Sequence, residues 1–370
     1  MTCVALHNHG RRTRRTFSIV MLFVLVALAA LNGCEADEPR HGRPASDDEL
    51  AALLASFAQR GFQGAVIAEQ HGERRIEAGY GQLSATSTRA PDAQTAFDCG
   101  SIMKEVTAAV IFLLEDDGAL SRTDRLDQHF ADVPEQWRAV TIDQVLTHRA
   151  GFDEYHDVDG DFEAMDRATA LARIFAQHPR FEPGSDEAYS NSGYTLLAAL
   201  IEQVTGDDYR SVVKARVFAP LALTRSGFYG DALWTDGNVA IGRGAEQHDG
   251  NDPSRWPEPT WALIGNGGLV STVEDLLSLA KGFDDDRLFA ANTREAFRGA
   301  QPSGRIDGKQ LLGYAGGNDY GFNAVVALVA EDSSYVVAAS HVFAPVTAEA
   351  LAIEMTQALY GAEIELPEDD

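Results

Sequence analysis

The period of apolar and polar positions changes along the chain in a way that outlines most of its elements. Ser46-Asp47-Asp48-Glu49 forms a capping box with acids at the positive end of a helix dipole. Leu50, Leu53, Leu54 and Phe57 supply the apolar stripe, so a first helix is predicted to about Arg60. Residues 64–69 and 75–80 are short strand-like runs around a turn at His71-Gly72 and predict a hairpin. From about 98 to 260 the pattern is mostly helical: Ala108, Val110, Ile111, Leu113 and Leu114 in one helix, residues 171–176 in another, and 194–204 in a third. Strand signal returns at 322–330 and 334–341, separated by Glu331-Asp332-Ser333, and a last amphipathic helix is predicted from about 347 to 360. Strands from both chain ends with helices between them predict one α/β domain over 46–370. Its α/β part is expected at 46–97 and 262–370, with a large helical insertion at 98–261.

The chain before Ser46 has a different character. Arg11, Arg12, Arg14 and Arg15 precede an apolar stretch at 17–31, too short for a comfortable membrane span but suited to the core of a signal peptide. The stretch ends in Leu31-Asn32-Gly33-Cys34, which resembles a bacterial lipobox. Residues 1–33 are therefore expected to be a lipoprotein signal, with Cys34 lipidated; an uncleaved anchor or ordinary secretion are the competing readings. Residues 34–45, polar with two prolines, form a tether. The expected location is the bacterial cell envelope, outside the cytoplasm, with the membrane reached through the lipid on Cys34.

Composition narrows the function. The 370 residues, 45% hydrophobic and 23% charged, suit a globular fold. Lys plus Arg total 30 against 56 Asp plus Glu, a formal charge of −26 that disfavours nucleic acid and anionic lipid surfaces as partners. The three cysteines, Cys3, Cys34 and Cys99, offer neither a disulfide framework nor paired zinc ligands. Cys99 occupies an apolar position and reads as a small hydrophobe.

The strongest chemical signal lies in residues 97–121. Ser101 and Lys104, three apart at the start of a strongly apolar helix, share one face. A serine hydroxyl needs a base to become a nucleophile, and a lysine serves when its pKa is depressed. At a helix N-terminus the Ser101 N–H also points toward a developing oxyanion. Downstream, Tyr189-Ser190-Asn191 precedes another helix. A phenol beside a lysine ammonium is stabilised as phenolate, so Tyr189 could exchange protons with Ser101 and a leaving group. The Asn191 amide could donate to a substrate carbonyl and hold Lys104.

Together these elements resemble the serine β-lactamase and penicillin-binding protein superfamily, most closely its class C-like branch of β-lactamases, D-amino-acid peptidases and esterases. The Ser-x-x-Lys and Tyr-x-Asn elements stand in the family's order, 88 residues apart. Connecting phrases at 146–151, 181–184, 218–221 and 267–272, the last followed by Asp275, are also similar to the family's. The resemblance implies an antiparallel sheet flanked by helices and an acyl-enzyme on Ser101, with Lys104 and Tyr189 sharing proton transfer. It also implies hydrolysis of an ester or amide, a β-lactam or D-amino-acid peptide among them, without a cofactor or metal.

The third family element departs from its pattern. Where such enzymes carry Lys, His or Trp, then any residue, then Gly, this chain offers Tyr314-Ala315-Gly316. By resemblance the backbone at Gly316 approaches the substrate and the Gly317 N–H is the second oxyanion donor. Tyr314 brings a neutral hydroxyl where a cation would hold a substrate carboxylate, which favours a neutral ester or amide. It also motivates an alternative, a non-catalytic envelope-binding lipoprotein that keeps the pocket without turnover. A class A-type deacylating glutamate is missing: the nearest, Glu258, has Ala262 four residues on, so Tyr189 and Lys104 would activate the water. His148 is expected to be structural rather than a base, and the acidic stretch from Asp153 to Asp166 to be a solvated loop rather than a calcium site.

Overall fold

A computed structural model describes residues 42–156, 160–342 and 346–365. The expected signal segment, Cys34 and most of the tether lie outside the described residues, as do Asp157, Val158 and Asp159 of the acidic stretch. Among the described residues no helix is long and apolar enough to cross a membrane.

Helix α1 (Asp47–Gln59) begins at the predicted capping box. The Ser46 side chain accepts from the Glu49 N–H, and the Glu49 carboxylate accepts from Ser46 N at 2.9 Å. The hairpin follows as β1 (Gly64–Gln70) and β2 (Glu73–Tyr80). Then come β3 (Phe97–Asp98), α2 (Met103–Asp116), α3 (Arg167–Phe175), α4 (Asn191–Thr205), β4 (Gly227–Phe228), β5 (Leu269–Ser271), α5 (Val273–Asp284) and α6 (Ala291–Gly299). The chain closes with β6 (Ser303–Ile306), β7 (Lys309–Gly317), β8 (Asn323–Val329), β9 (Ser334–Ser340), α7 (Ala348–Tyr360) and β10 (Ile364–Glu365).

The main sheet is antiparallel and runs β10-β6-β7-β8-β9-β1-β2, so the N-terminal hairpin is stitched to the C-terminal strands. Gly64 faces Ser340 and Glu69 faces Tyr335 across the β1/β9 seam. Both faces are covered. Val66, Ala68, Val336 and Ala338 pack with Leu50 and Phe57 of α1 and Leu351 and Met355 of α7, while Ala65, Ile67, Val337 and Ala339 join the larger core that contains α2, α4 and α5. Double coverage explains why β1 and β9 are buried at every position and why β9 carries an unbroken apolar run rather than an alternation.

The regular elements within residues 98–261 are helices, apart from the end of β3 and the two-residue β4, with long irregular connections between them; β4 joins a small second sheet in the order β3-β5-β4. Helix α2 is buried almost all round, from Met103 to Leu114, and packs against α4. The predicted helices at 171–176 and 194–204 begin earlier than their apolar patterns. Asp166 caps the Thr169 N–H and Ser190 caps the Gly193 N–H, so each helix starts at its polar cap.

Candidate active site

The turn between β3 and α2 carries Ser101. It is a single 3-10 turn, Gly100–Ile102, rather than the first turn of the α-helix that the pattern suggested. Two backbone approaches force this shape. Gly100 has a positive φ of 47°, and a Cβ there would meet Gly317 N at 2.8 Å. A Cβ on Gly316 would meet Cys99 O at 2.0 Å and Ser101 N at 2.6 Å. Strand β7 therefore runs directly against the Ser101 turn, and the N–H groups of Ser101 and Gly317 lie beside one another.

Beneath the turn, Asp98 is fully buried; its carboxylate accepts from Gly100 N at 2.9 Å, from the Tyr229 hydroxyl at 2.7 Å and from the Asn318 amide. Burial pushes its pKa up to about 7, against the pull of those donors. Asp98 was not singled out in the sequence, although an acid three residues before Ser101 was visible there.

Lys104 is the second residue of α2 and is 2% exposed. Its Nζ donates to Ser101 Oγ at 3.0 Å and to the Asn266 carbonyl at 2.8 Å, and it sits 4.7 Å from the centre of the Tyr189 ring. Burial lowers its pKa to about 7, the carboxylates of Glu154, Asp161 and Glu105 partly opposing. The Tyr189 hydroxyl donates to Ser101 Oγ at 2.7 Å. Its pKa is raised, burial outweighing the bond to Ser101, so the phenolate expected from the sequence is corrected to a neutral phenol. Of the two groups on Ser101 Oγ, the lysine is the one with a substantial unprotonated fraction at neutral pH.

His148 takes the structural position expected of it. With a positive φ of 57°, it places its ring 4.8 Å from that of Tyr189 and 5.1 Å from that of Tyr194, and its Nδ1 accepts from Ser190 N at 3.2 Å. Burial and the neighbouring Lys104 charge hold its pKa down at about 3. Cys99 is fully buried with a raised pKa, again from burial.

Asn191 stands at the start of α4 but does not hold Lys104. Its amide donates to the Glu154 carboxylate at 3.2 and 3.3 Å, and the Asn266 carbonyl takes the lysine instead. The acidic stretch is thus only partly the solvated loop expected: Glu154 fixes Asn191, and Asp161 is half-buried near Lys104.

Two cavities meet at Ser101. One, of about 430 Å³, is bounded by Lys104, Glu105, Tyr189 and Tyr314. Tyr314 is 3% exposed and sets its ring edge-on to Phe283, 6.0 Å away. The other, of about 300 Å³, is bounded by Asn191, Asn266, Gly317 and Tyr320. Among the described residues Lys104 is the one Lys or Arg lining either cavity, and its Nζ is already bonded to Ser101 and Asn266. Among the described residues no group of three or more His, Cys, Asp or Glu side chains is arranged to hold a metal ion.

A family model described as Beta-lactamase matches residues 48–359. Penicillin-binding protein 4* of Bacillus subtilis is 26% identical over 285 residues, 72% of this chain and 60% of that one. A D-aminopeptidase of Brucella canis is 25% identical over 253 residues, 64% of this chain and 46% of that one. The chain spans 46–60% of the length of these two curated relatives. Among solved structures, the octameric penicillin-binding protein homologue from Pyrococcus abyssi superposes with a TM-score of 0.71 at 21% identity, covering 85% of this chain and 78% of that one. A beta-lactamase/D-alanine carboxypeptidase from Pseudomonas syringae gives 0.69 at 16% identity, covering 84% and 98%. The fold is thus shared with these structures.

Proposed function

The chain belongs to the beta-lactamase family, and from that premise we propose that it is a serine hydrolase that cleaves a neutral ester or amide through an acyl-enzyme on Ser101. The observation that carries the reading is the convergence on one oxygen. Ser101 Oγ lies 3.0 Å from a lysine nitrogen whose pKa is near 7 and 2.7 Å from a neutral phenol, with the Ser101 and Gly317 N–H groups alongside.

In the proposed reaction neutral Lys104 takes the Ser101 proton as Oγ bonds to the substrate carbonyl carbon. The two backbone N–H groups hold the resulting oxyanion. Collapse breaks the bond to the leaving alcohol or amine, which receives its proton from Lys104 by way of the Tyr189 hydroxyl, and leaves an ester on Ser101. Water then attacks that ester while the same pair takes its proton, releasing the acid and restoring Ser101. Asn191, held by Glu154, orients the acyl group. Tyr314 lines the wall of the site, and Gly316 lets β7 lie against the Ser101 turn. With no free Lys or Arg lining either cavity among the described residues, a substrate carboxylate finds no cationic partner there, which favours neutral esters and amides over penicillins. The name of one relative, D-aminopeptidase, puts a peptide amide among the bonds to try.

A fluorophosphonate probe tests this directly: wild-type protein should be labelled and Ser101→Ala should not. Label that persists in Ser101→Ala, or no label at all, would remove the proposal and leave the non-catalytic binding role. Short-chain p-nitrophenyl esters should be turned over faster than a chromogenic cephalosporin. We further propose that Cys34 is lipidated and ties the domain to the cell envelope. In that case Cys34→Ala moves the protein from the detergent phase to the aqueous phase, and an unchanged partition counts against it.

A further inference from the structure

The cavity that contains Asn191 and Gly317 has a charge arrangement that the hydrolase reading leaves unexplained. Asp161, Glu246 and Asp319 all line it, and among the described residues no Lys or Arg does. Asp161 and Asp319 are half-buried, and no ion pair joins any of the three to a cation among the described residues. Their fields overlap. Burial first, then the charges of Glu246 and Asp161, raise the Asp319 pKa, and the Asp161 pKa is likewise raised by burial, with the charges of Glu154 and Glu246 adding and those of His156 and Lys104 opposing. Like charges held together, with His156 and Lys104 opposing only at Asp161, destabilise an empty fold.

The fold nevertheless fixes them there. Asp161 sits in a 3-10 turn whose next residue, Phe162, stacks on His248 at 3.5 Å between ring centres. The same ring meets Trp256 at 5.3 Å and Tyr320 at 5.4 Å, both edge-on. Asp319 stands in the turn after β7, where the Asn318 side-chain oxygen accepts from Tyr320 N at 3.1 Å, and the carbonyl of Asp319 accepts from Glu246 N at 3.0 Å. Tyr229 and Tyr320 contribute aromatic walls to the same space. Carboxylates in no ion pair among the described residues, together with aromatic faces in a cavity of about 300 Å³, form surroundings that bind an organic ammonium.

Resting on the hydrolase reading, we infer that this cavity is the acyl subsite and that it selects a substrate whose acyl group carries a positive charge, with Asp161 and Asp319 as its specificity-determining residues. An ammonium there neutralises the carboxylates while the carbonyl reaches the Ser101 and Gly317 N–H groups. An anionic acyl group meets repulsion at the same place.

The test uses two p-nitrophenyl esters of one shape: a trimethylammonio-butyrate ester, and the same ester with carbon in place of the ammonium nitrogen. For the wild-type protein at low ionic strength, kcat/KM should favour the cationic ester by at least about tenfold, and the ratio should fall with added salt. In Asp161→Asn/Asp319→Asn the ratio should drop toward one. Glu246→Gln, at an exposed position where misfolding is not at issue, should lower it by a smaller factor. Equal turnover of both esters by wild-type protein would overturn the inference and leave the hydrolase reading standing. A preference unchanged in the double variant would also overturn it. Absence of turnover of either ester together with absence of Ser101 labelling would overturn both.

Discussion

The Nδ1 atom of His148 accepts the Ser190 N–H at 3.2 Å, and this bond sets the turn from which Tyr189 reaches Ser101. His148→Phe keeps a ring against Tyr189 and Tyr194 and leaves the Ser190 N–H buried without an acceptor. The expected cost is about 1–3 kcal/mol of stability, the usual penalty for such a group. Esterase kcat should fall further than KM rises, because the defect lies in how Tyr189 is placed. Urea unfolding and steady-state kinetics on the same preparation check both effects, and a variant of unchanged kcat would show that the turn holds without the histidine.

If Lys104 is the base, kcat/KM for a neutral ester should climb about tenfold per pH unit below neutrality and level off above a midpoint near 7, the value to which burial lowers this lysine. The protonated form is inactive and dominates below that midpoint, so activity is lost toward acid. Lys104→Arg retains charge but cannot give up its proton, and should lose about 10²–10⁴-fold in kcat. A rate profile flat from pH 5 to pH 9 would exclude the assignment.

Gly316→Ala should abolish activity although no side-chain chemistry is removed. The added Cβ would lie 2.0 Å from Cys99 O and 2.6 Å from Ser101 N, so β7 and the Ser101 turn must separate. Displacing an oxyanion donor by even an ångström costs about 10²-fold. Thermal unfolding and probe labelling, run together, separate a loosened site from an unfolded chain.

Two buried histidines make the fold acid-sensitive. His148 titrates near 3 and His341 near 4 when folded, both lowered chiefly by burial. An unfolded histidine takes up its proton near about 6.5, so between that pH and the folded values the unfolded state binds more protons and stability falls as pH drops. Asp98 and Glu105, raised by burial to about 7 and about 8, act in the opposite direction, their contribution fading as pH rises through those values. His148→Phe isolates one histidine: on going from pH 7 to pH 5 its urea midpoint should shift more favourably than that of wild-type protein, whatever the balance of the other three groups.

Where a residue's environment is local, the sequence disclosed it. The capping box at Ser46 and Glu49, the apolar runs of β8 and β9, and the spacing of Ser101 and Lys104 are set by neighbours in the chain. Strand β7 left no strand pattern, only the third family element within it, because Gly313, Gly316 and Gly317 deprive it of strand signal, and Gly316 is required by contact with a turn more than two hundred residues earlier. The two-residue strands β3 and β4 are too short to leave a pattern. Tyr189 looked like a phenolate from its proximity to a lysine; the burial that keeps it neutral comes from tertiary packing. Glu154 is exposed as a solvated acid would be, yet it takes the Asn191 amide, and Asp161 is half-buried beside the Phe162 ring cluster; neither contact is local in the chain.

The seam between β1 and β9 also dictates when this protein can first exist. Strand β1 emerges early in synthesis, yet its neighbour on the interior side is β9, among the last segments to leave the ribosome. Until then Val66 and Ile67 are paired only through the β2 hairpin and lack their β9 neighbour, and the sheet that holds β7 against the Ser101 turn is not joined to β1. A nascent chain is therefore exposed to misassociation for most of its synthesis, and folding dominated by such distant pairings is slow. Chains truncated before residue 334 should be degraded or aggregated rather than partly active, and the reacting serine acquires its surroundings only when nearly the whole polypeptide is present.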